Sequence, residues 1–181
     1  MAPSTDDPRR PKNAEESLPP FLLTPPPPAP PRLIIRPLRP ANIRPLHAAC
    51  YPDHPFRAFD EACLRALAAY TRGRCFPLIA TVQEAIVGRG QLQIYANAAE
   101  IADLLVAPAY RDQGIGTALI AVLTNIARHM RRPLLEIGVM PDNVRALALY
   151  QRLGFTISRE IRLPQTGKTG IILERLLVID S

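Results

Sequence analysis

Six consecutive residues, Arg111-Asp112-Gln113-Gly114-Ile115-Gly116, carry the clearest chemistry in the chain. An apolar run, Leu104-Leu105-Val106, precedes them, and a helix-forming stretch from Thr117 to Met130 follows. A strand, a glycine-bearing loop and a helix start, in that order, make an anion site. The loop's N–H groups converge and the helix end adds partial positive charge. Glycine at 114 and 116 lets a phosphate approach the backbone with no Cβ in the way. The pattern implies a phosphorylated ligand. It is not a Walker loop, because no Lys follows Gly116, and it is not the dinucleotide fingerprint, because position 119 is Leu.

A second block lies downstream, Asp142-Asn143-Val144-Arg145-Ala146-Leu147-Ala148-Leu149-Tyr150-Gln151-Arg152-Leu153-Gly154-Phe155. The first block, preceded by Val106-Ala107-Pro108-Ala109-Tyr110, resembles the acetyl-CoA signature Arg-x-x-Gly-x-Gly of the GNAT N-acetyltransferases. The second is similar to that family's N-x-x-A-x-x-x-Y-x-x-x-G-F. Either alone is a weak signal; together they are specific. The resemblance covers roughly residues 32–179.

The resemblance implies an α/β (α+β) fold: a mixed, mostly antiparallel sheet of about seven strands, flanking helices and a splayed central strand pair. It places the pantetheine arm of acetyl-CoA in that gap, against Leu104, Leu105 and Val106, with Leu134 to Met140 as the other wall. It assigns the pyrophosphate to the loop of Arg111 and Asp112 and to the N–H groups of Gln113, Gly114, Ile115, Gly116 and Thr117. Asn143 matches a position that touches the pantetheine arm, and Asn is also a good helix N-cap. Tyr150 matches the acid that protonates the departing sulfur, and it also fits a half-buried helix stripe. Glu100 matches the catalytic glutamate of the family's histone acetyltransferases, and Asp103 is the second candidate base. Strand alternation puts those two carboxylates on opposite faces. A water is the third candidate, and the oxyanion donor is a backbone N–H at Leu105 or Val106.

The implied reaction is direct acetyl transfer from acetyl-CoA to a primary amine, with no metal. The acceptor is recognised by the 40–75 helices and the 163–170 loop, and its identity is not legible. Two other readings stand beside this one. They are an acyl-CoA-binding module without turnover and, less well supported, a basic nucleic-acid-binding protein. Edge strands in this fold often pair, so a homodimer is open.

Composition sets the frame. The chain has 181 residues, 48% of them hydrophobic, enough for one domain with a real core. Its formal charge is +6, and residues 1–31 contribute a net −1 from Arg9, Arg10 and Lys12 against Asp6, Asp7, Glu15 and Glu16. The body is therefore basic, which suits a polyphosphate ligand. With no Trp, few aromatics and no nucleic-acid-binding motif, nucleic acid is disfavoured. Cys50, Cys63 and Cys75 form no CxxC spacing and read as free thiols in a reducing compartment. No apolar run approaches the ~18 residues of a membrane span, and no signal-peptide pattern opens the chain. The expected location is the cytoplasm.

Residues 1–31 hold 11 of the 21 prolines and read as a disordered or polyproline tail outside the folded domain of residues 32–181. Within that domain the expected order is strand, two helices, three strands, helix, strand, helix and a closing hairpin. Ile115, Leu119, Val122 and Ile126 fall on one face of the helix after the loop.

Overall fold

The computed structural model describes residues 18–25, 31–163 and 166–179. The proline tail up to residue 17, residues 26–30 and part of the 163–170 loop lie outside the described residues.

The elements are α1 (Pro20–Leu23), β1 (Leu33–Pro37), α2 (Ile43–Cys50), α3 (Phe56–Tyr70), β2 (Cys75–Val82), β3 (Ala85–Ile94) and β4 (Ala98–Val106), followed by α4 (Ile115–His129), β5 (Leu134–Val139), α5 (Val144–Arg152), β6 (Thr156–Arg162) and β7 (Thr169–Leu176). Short 3₁₀ turns at Pro40–Asn42 and Pro108–Tyr110 lead into α2 and the glycine loop. The strands form one seven-stranded sheet in the order β1-β2-β3-β4-β5-β7-β6. Every pairing is antiparallel except β4 with β5. The order expected from the sequence is the order observed, with α1 added.

Local chemistry accounts for the boundaries. Gln83 and Glu84 both adopt positive φ, as a two-residue hairpin turn of the primed type requires. Gly154, at φ +86°, ends α5, and the N–H of Phe155 reaches back to the Tyr150 carbonyl. Pro37 sits on β1, an edge strand, where a missing N–H costs least.

Two helix layers cover the sheet. The larger core holds Ile115, Leu119, Val122 and Ile126 of α4 against Leu92, Ile101, Leu135 and Ile137 of the strands. The other face carries α2 and α3 through Leu46, Phe59 and Cys63, packed around Ile79. The strand residues alternate between these layers. Ideal Cβ atoms on Gly88 and Gly90 point at Leu119 and Leu123 of α4, whereas Arg89 between them points at α3.

The folded body begins earlier than the proline content implies. Leu18 and Leu22 are 7% and 4% exposed and belong to the larger core, and α1 lies against α4. Pro20 stands in the first turn of α1, where its missing N–H has no helical partner to lose. Proline density excludes a long helix but not one turn carrying an apolar anchor. Leu22→Ala is expected to lower stability by about 2–3 kcal/mol, the cost of emptying a buried leucine site. A urea melt of the full chain that is unchanged by the substitution would place Leu22 outside the core.

Candidate active site

The site is built where β4 and β5 part. They pair in parallel only from Ala98–Leu134 to Ile101–Ile137. Beyond that point β4 continues to Val106 and β5 to Val139, unpaired with each other. The β5-facing backbone groups of the second half of β4 therefore lack a strand partner, and buried groups of that kind must find one. A cavity of about 650 Å³ opens there, lined by Leu104, Leu105 and Val106, the glycine loop, the start of α4 and the cavity side of α5.

The loop does what its glycines require. Gly114 caps α4 at φ +79°, and Asp112 is also left-handed at +62°. Ala118 makes the first helical bond, to the Gly114 carbonyl, so the N–H groups of Ile115, Gly116 and Thr117 have no intrahelical acceptor. No side chain caps them. All three residues line the cavity, and the helix dipole adds to their partial charge. A Cβ on Gly116 would stand 3.8 Å from both Val106 and Leu149, at the throat between β4 and α5. The Arg111 guanidinium donates from Nε to the Val106 carbonyl at 3.2 Å, which folds the loop back onto the end of β4.

Of the residues singled out in the sequence, the structure brings Leu104, Leu105, Val106, Arg111, Asp112, Gly114, Ile115, Gly116, Thr117, Asn143 and Tyr150 around this one cavity. Gln113 is not in the lining, and its side-chain amide donates to the Ala109 carbonyl. Asn143 caps α5, its Oδ1 accepting from the Ala146 N–H at 3.2 Å while the residue lines the cavity. Tyr150 is 6% exposed, with its ring in the larger core and one side on the cavity. Burial pushes its phenol above the ordinary tyrosine range.

Sequence reasoning missed Arg145, Leu149 and Arg152, which add two cations and an apolar wall. Their spacing on α5 was the available signal, because residues four and three apart share a helix face. Arg145 is ion-paired with Asp112, so α5 and the loop are tied across the cavity. The lining thus joins an apolar throat to a cluster of N–H donors and arginines. That combination suits a ligand with a long uncharged arm and a phosphate end.

The two candidate carboxylates lie outside the lining. Alternation predicts opposite faces for them, and the structure corrects this. Arg89 pairs with Leu105 and Gln91 with Ala102, so Gly90 alone faces the two residues Asp103 and Leu104. This β-bulge adds one residue and reverses the alternation beyond it. Asp103, at φ +51°, accepts from the Arg89 guanidinium at 3.1 Å, on the α2–α3 face of the sheet. Glu100 is on that same face, opposite Gln93, and accepts from the Tyr95 hydroxyl at 2.8 Å. Burial and the hydrogen bond to Glu100 push the Tyr95 phenol up to about 12.

The cysteines take no part in the cavity. All three are buried and free, and burial pushes Cys50 up to about 11 and Cys75 up to about 12. His47 is held by the His54 carbonyl and by Phe56 and Phe59, a packing role. Among the described residues no group of metal-ligating side chains is assembled, and no helix is long and apolar enough to cross a membrane.

The cavity lies between the diverging end of β4 and α5, with an RxxGxG loop at the start of α4 on its border. The sequence model of the acetyltransferase (GNAT) family matches residues 41–155, well over half of the chain. The chain belongs to that family. It is 42% identical over 57 residues to an uncharacterized N-acetyltransferase, MJ1207, of Methanocaldococcus jannaschii, a stretch covering 32% of this chain and 25% of that protein. Among solved structures, the ribosomal-protein-S18-alanine N-acetyltransferase of Escherichia coli superposes with TM-score 0.65 at 19% identity, over 82% of this chain and 96% of that one. The PaiA N-acetyltransferase of Thermoplasma acidophilum, solved with coenzyme A, gives 0.66 at 18% identity, over 80% and 99%. At such identities the likeness is one of fold.

The backbone at the bulge is tightly packed. A Cβ on Gly88 would stand 2.8 Å from the Leu105 carbonyl oxygen. Gly88→Ala is expected to cost about 1–3 kcal/mol by overpacking. The measurement is the midpoint of urea unfolding, and an unshifted midpoint would show that β4 yields freely at Leu105.

Proposed function

We propose that this protein is an N-acetyltransferase that moves acetyl from acetyl-CoA to a primary amine by direct attack. The observation that carries the reading is the cavity itself. Unpaired β4 backbone, free α4 N–H groups and Tyr150 converge on one space, with arginines at the phosphate end. Coenzyme A fits this lining. The pyrophosphate lies on the N–H groups of the loop and α4, and the pantetheine amides pair with β4 as an added strand would. A fold neighbour solved with coenzyme A supports the assignment.

In the reaction the neutral amine attacks the thioester carbonyl, the C–N bond forms, and the oxyanion meets a backbone N–H at Leu105 or Val106. The amine's proton passes to the carboxylate face of Glu100 and Asp103, directly or through water. The C–S bond then breaks and the thiolate takes a proton from Tyr150. A thiolate with a parent pKa of ~8.5 leaves readily without help, so the acid adds a modest factor. The buried, protonated cysteines favour this route over a covalent acetyl-enzyme. Three free thiols also support a reducing, cytoplasmic setting.

Acetyl-CoA at ~100 times its Kd is expected to stabilise the full chain by about 2.7 kcal/mol and raise Tm by several degrees. Gly116→Trp, which fills the throat, is expected to abolish that shift. No shift at millimolar acetyl-CoA would overturn the cofactor assignment. A shift without transfer to any amine would make the protein an acyl-CoA-binding module.

Tyr150→Phe is expected to lower kcat by ~10²-fold. Tyr150 acts in its protonated form, and burial raises its pKa above the ordinary ~10. Its contribution is therefore complete at neutral pH and is lost only as pH rises beyond that value. A kcat profile for the wild type with a Tyr150-dependent alkaline limb below pH 9 would contradict this assignment.

A further inference from the structure

Arg89 is the one arginine of the sheet buried to 4% exposure, and its surroundings are specific. Its guanidinium lies 5.7 Å from the Tyr51 ring centroid and 5.6 Å from that of Phe59. Nη1 donates to Cys63 Sγ at 3.6 Å, and Nη2 donates to Gln91 Oε1 at 3.4 Å. The remaining partner is Asp103 at 3.1 Å, whose side chain is 53% exposed where that of Arg89 is 5%. A buried cation needs a counter-charge. Here that counter-charge is a half-exposed aspartate on a left-handed bulge residue, two positions past the last β4–β5 pair. The aromatic rings and Gln91 restrict where the guanidinium can go, so they also restrict where the carboxylate can stand.

The opening between β4 and β5 has two faces. The α4–α5 side carries the loop, the N–H donors and the apolar throat. On the transferase reading the acceptor approaches from the opposite, α2–α3 side, where Asp103 is the ion-paired carboxylate, past the last β4–β5 pair and outside the cavity lining. Glu100 on the same face has no cation partner among the described residues; its contact is the Tyr95 hydroxyl.

We propose that Arg89 is a positioning residue that fixes Asp103 at the mouth of the parted strands as the anionic anchor for the acceptor's ammonium group. Glu100 is then left as the proton acceptor. The proposal rests on the transferase reading given above and adds how the acceptor is held. An acceptor presenting a primary ammonium, such as a peptide N-terminus, a lysine or a polyamine, matches the anchor. A neutral hydroxyl does not.

The test uses the full chain with acetyl-CoA and a panel of amines: peptides beginning with alanine, serine and methionine, a lysine peptide, and spermidine. Thiol release reports turnover and calorimetry reports amine binding. Arg89→Met and Asp103→Asn are expected to raise the amine KM by about 10- to 100-fold with a smaller change in kcat. Arg89→Lys, which keeps the charge but not the fork, is expected to fall between Arg89→Met and the wild type. Glu100→Gln is expected to lower kcat instead. The double variant R89M/D103N is expected to match its single parents, and it removes both charges together should Asp103→Asn alone fail to fold. The acetyl-CoA thermal shift is expected to survive in every folded variant.

An amine KM within threefold of wild type in Arg89→Met overturns the proposal. So does a fall confined to kcat, or multiplying losses in the double variant. Wild-type protein that binds acetyl-CoA but neither binds nor acetylates any amine of the panel also overturns it. Absence of the acetyl-CoA shift in the wild type would instead refute the transferase reading itself.

Discussion

The separation of β4 from β5 is the constraint on which the rest of this structure depends. Two parallel neighbours in mid-sheet pair over a few residues and then diverge, although a continued ladder would satisfy every backbone group. The divergence is held from three sides. On one flank the bulge against Gly90 turns β4, and Gly88 gives the Leu105 carbonyl room to lie close. On the other, β5 continues into its own antiparallel ladder with β7, so it is not free to follow β4. Between them α5 packs through Tyr150 and Leu149, and the apolar throat is the space left over.

That separation gives one opening two chemically different faces. On the α4 side, backbone N–H groups and arginines provide fixed positive partial charge in an apolar setting, which suits phosphate and amide groups. On the α2–α3 side stand carboxylates, one ion-paired to a buried arginine and one bonded to a tyrosine. In the proposed reaction this difference in charge would sort a polyanionic donor and a cationic acceptor to opposite sides. The thioester of a bound donor would lie at the boundary between them.

The same bulge links the fold to this chemistry. A strand without it would point Asp103 into the α4 core, where an aspartate has no partner. With it, Asp103 turns outward and Leu104 takes the inward place near Gly90. The left-handed backbone this demands is one that aspartate tolerates better than most residues. Its ion pair with Arg89 offsets the cost of burying a guanidinium beneath α2 and α3.

Much of this was determined by the sequence alone. Hydrophobic periodicity set the order of strands and helices, and the glycines of the loop and of position 154 set two helix boundaries, because these are local effects of side-chain spacing and φ. The RxxGxG loop with the Asn143-to-Phe155 block picked out much of the cavity lining, since its groups lie on short contiguous segments. Three things were decided only in the tertiary structure. Leu18 and Leu22 joined the core because α4 offered them a surface, which proline content cannot register. Arg145 and Arg152 entered the cavity because α5 packs with that face inward. Asp103 and Glu100 came to share a face because a single extra residue in β4, invisible without its partner strand, reversed the alternation. Register between strands distant in sequence is a property of the pair, so no reading of one strand contains it.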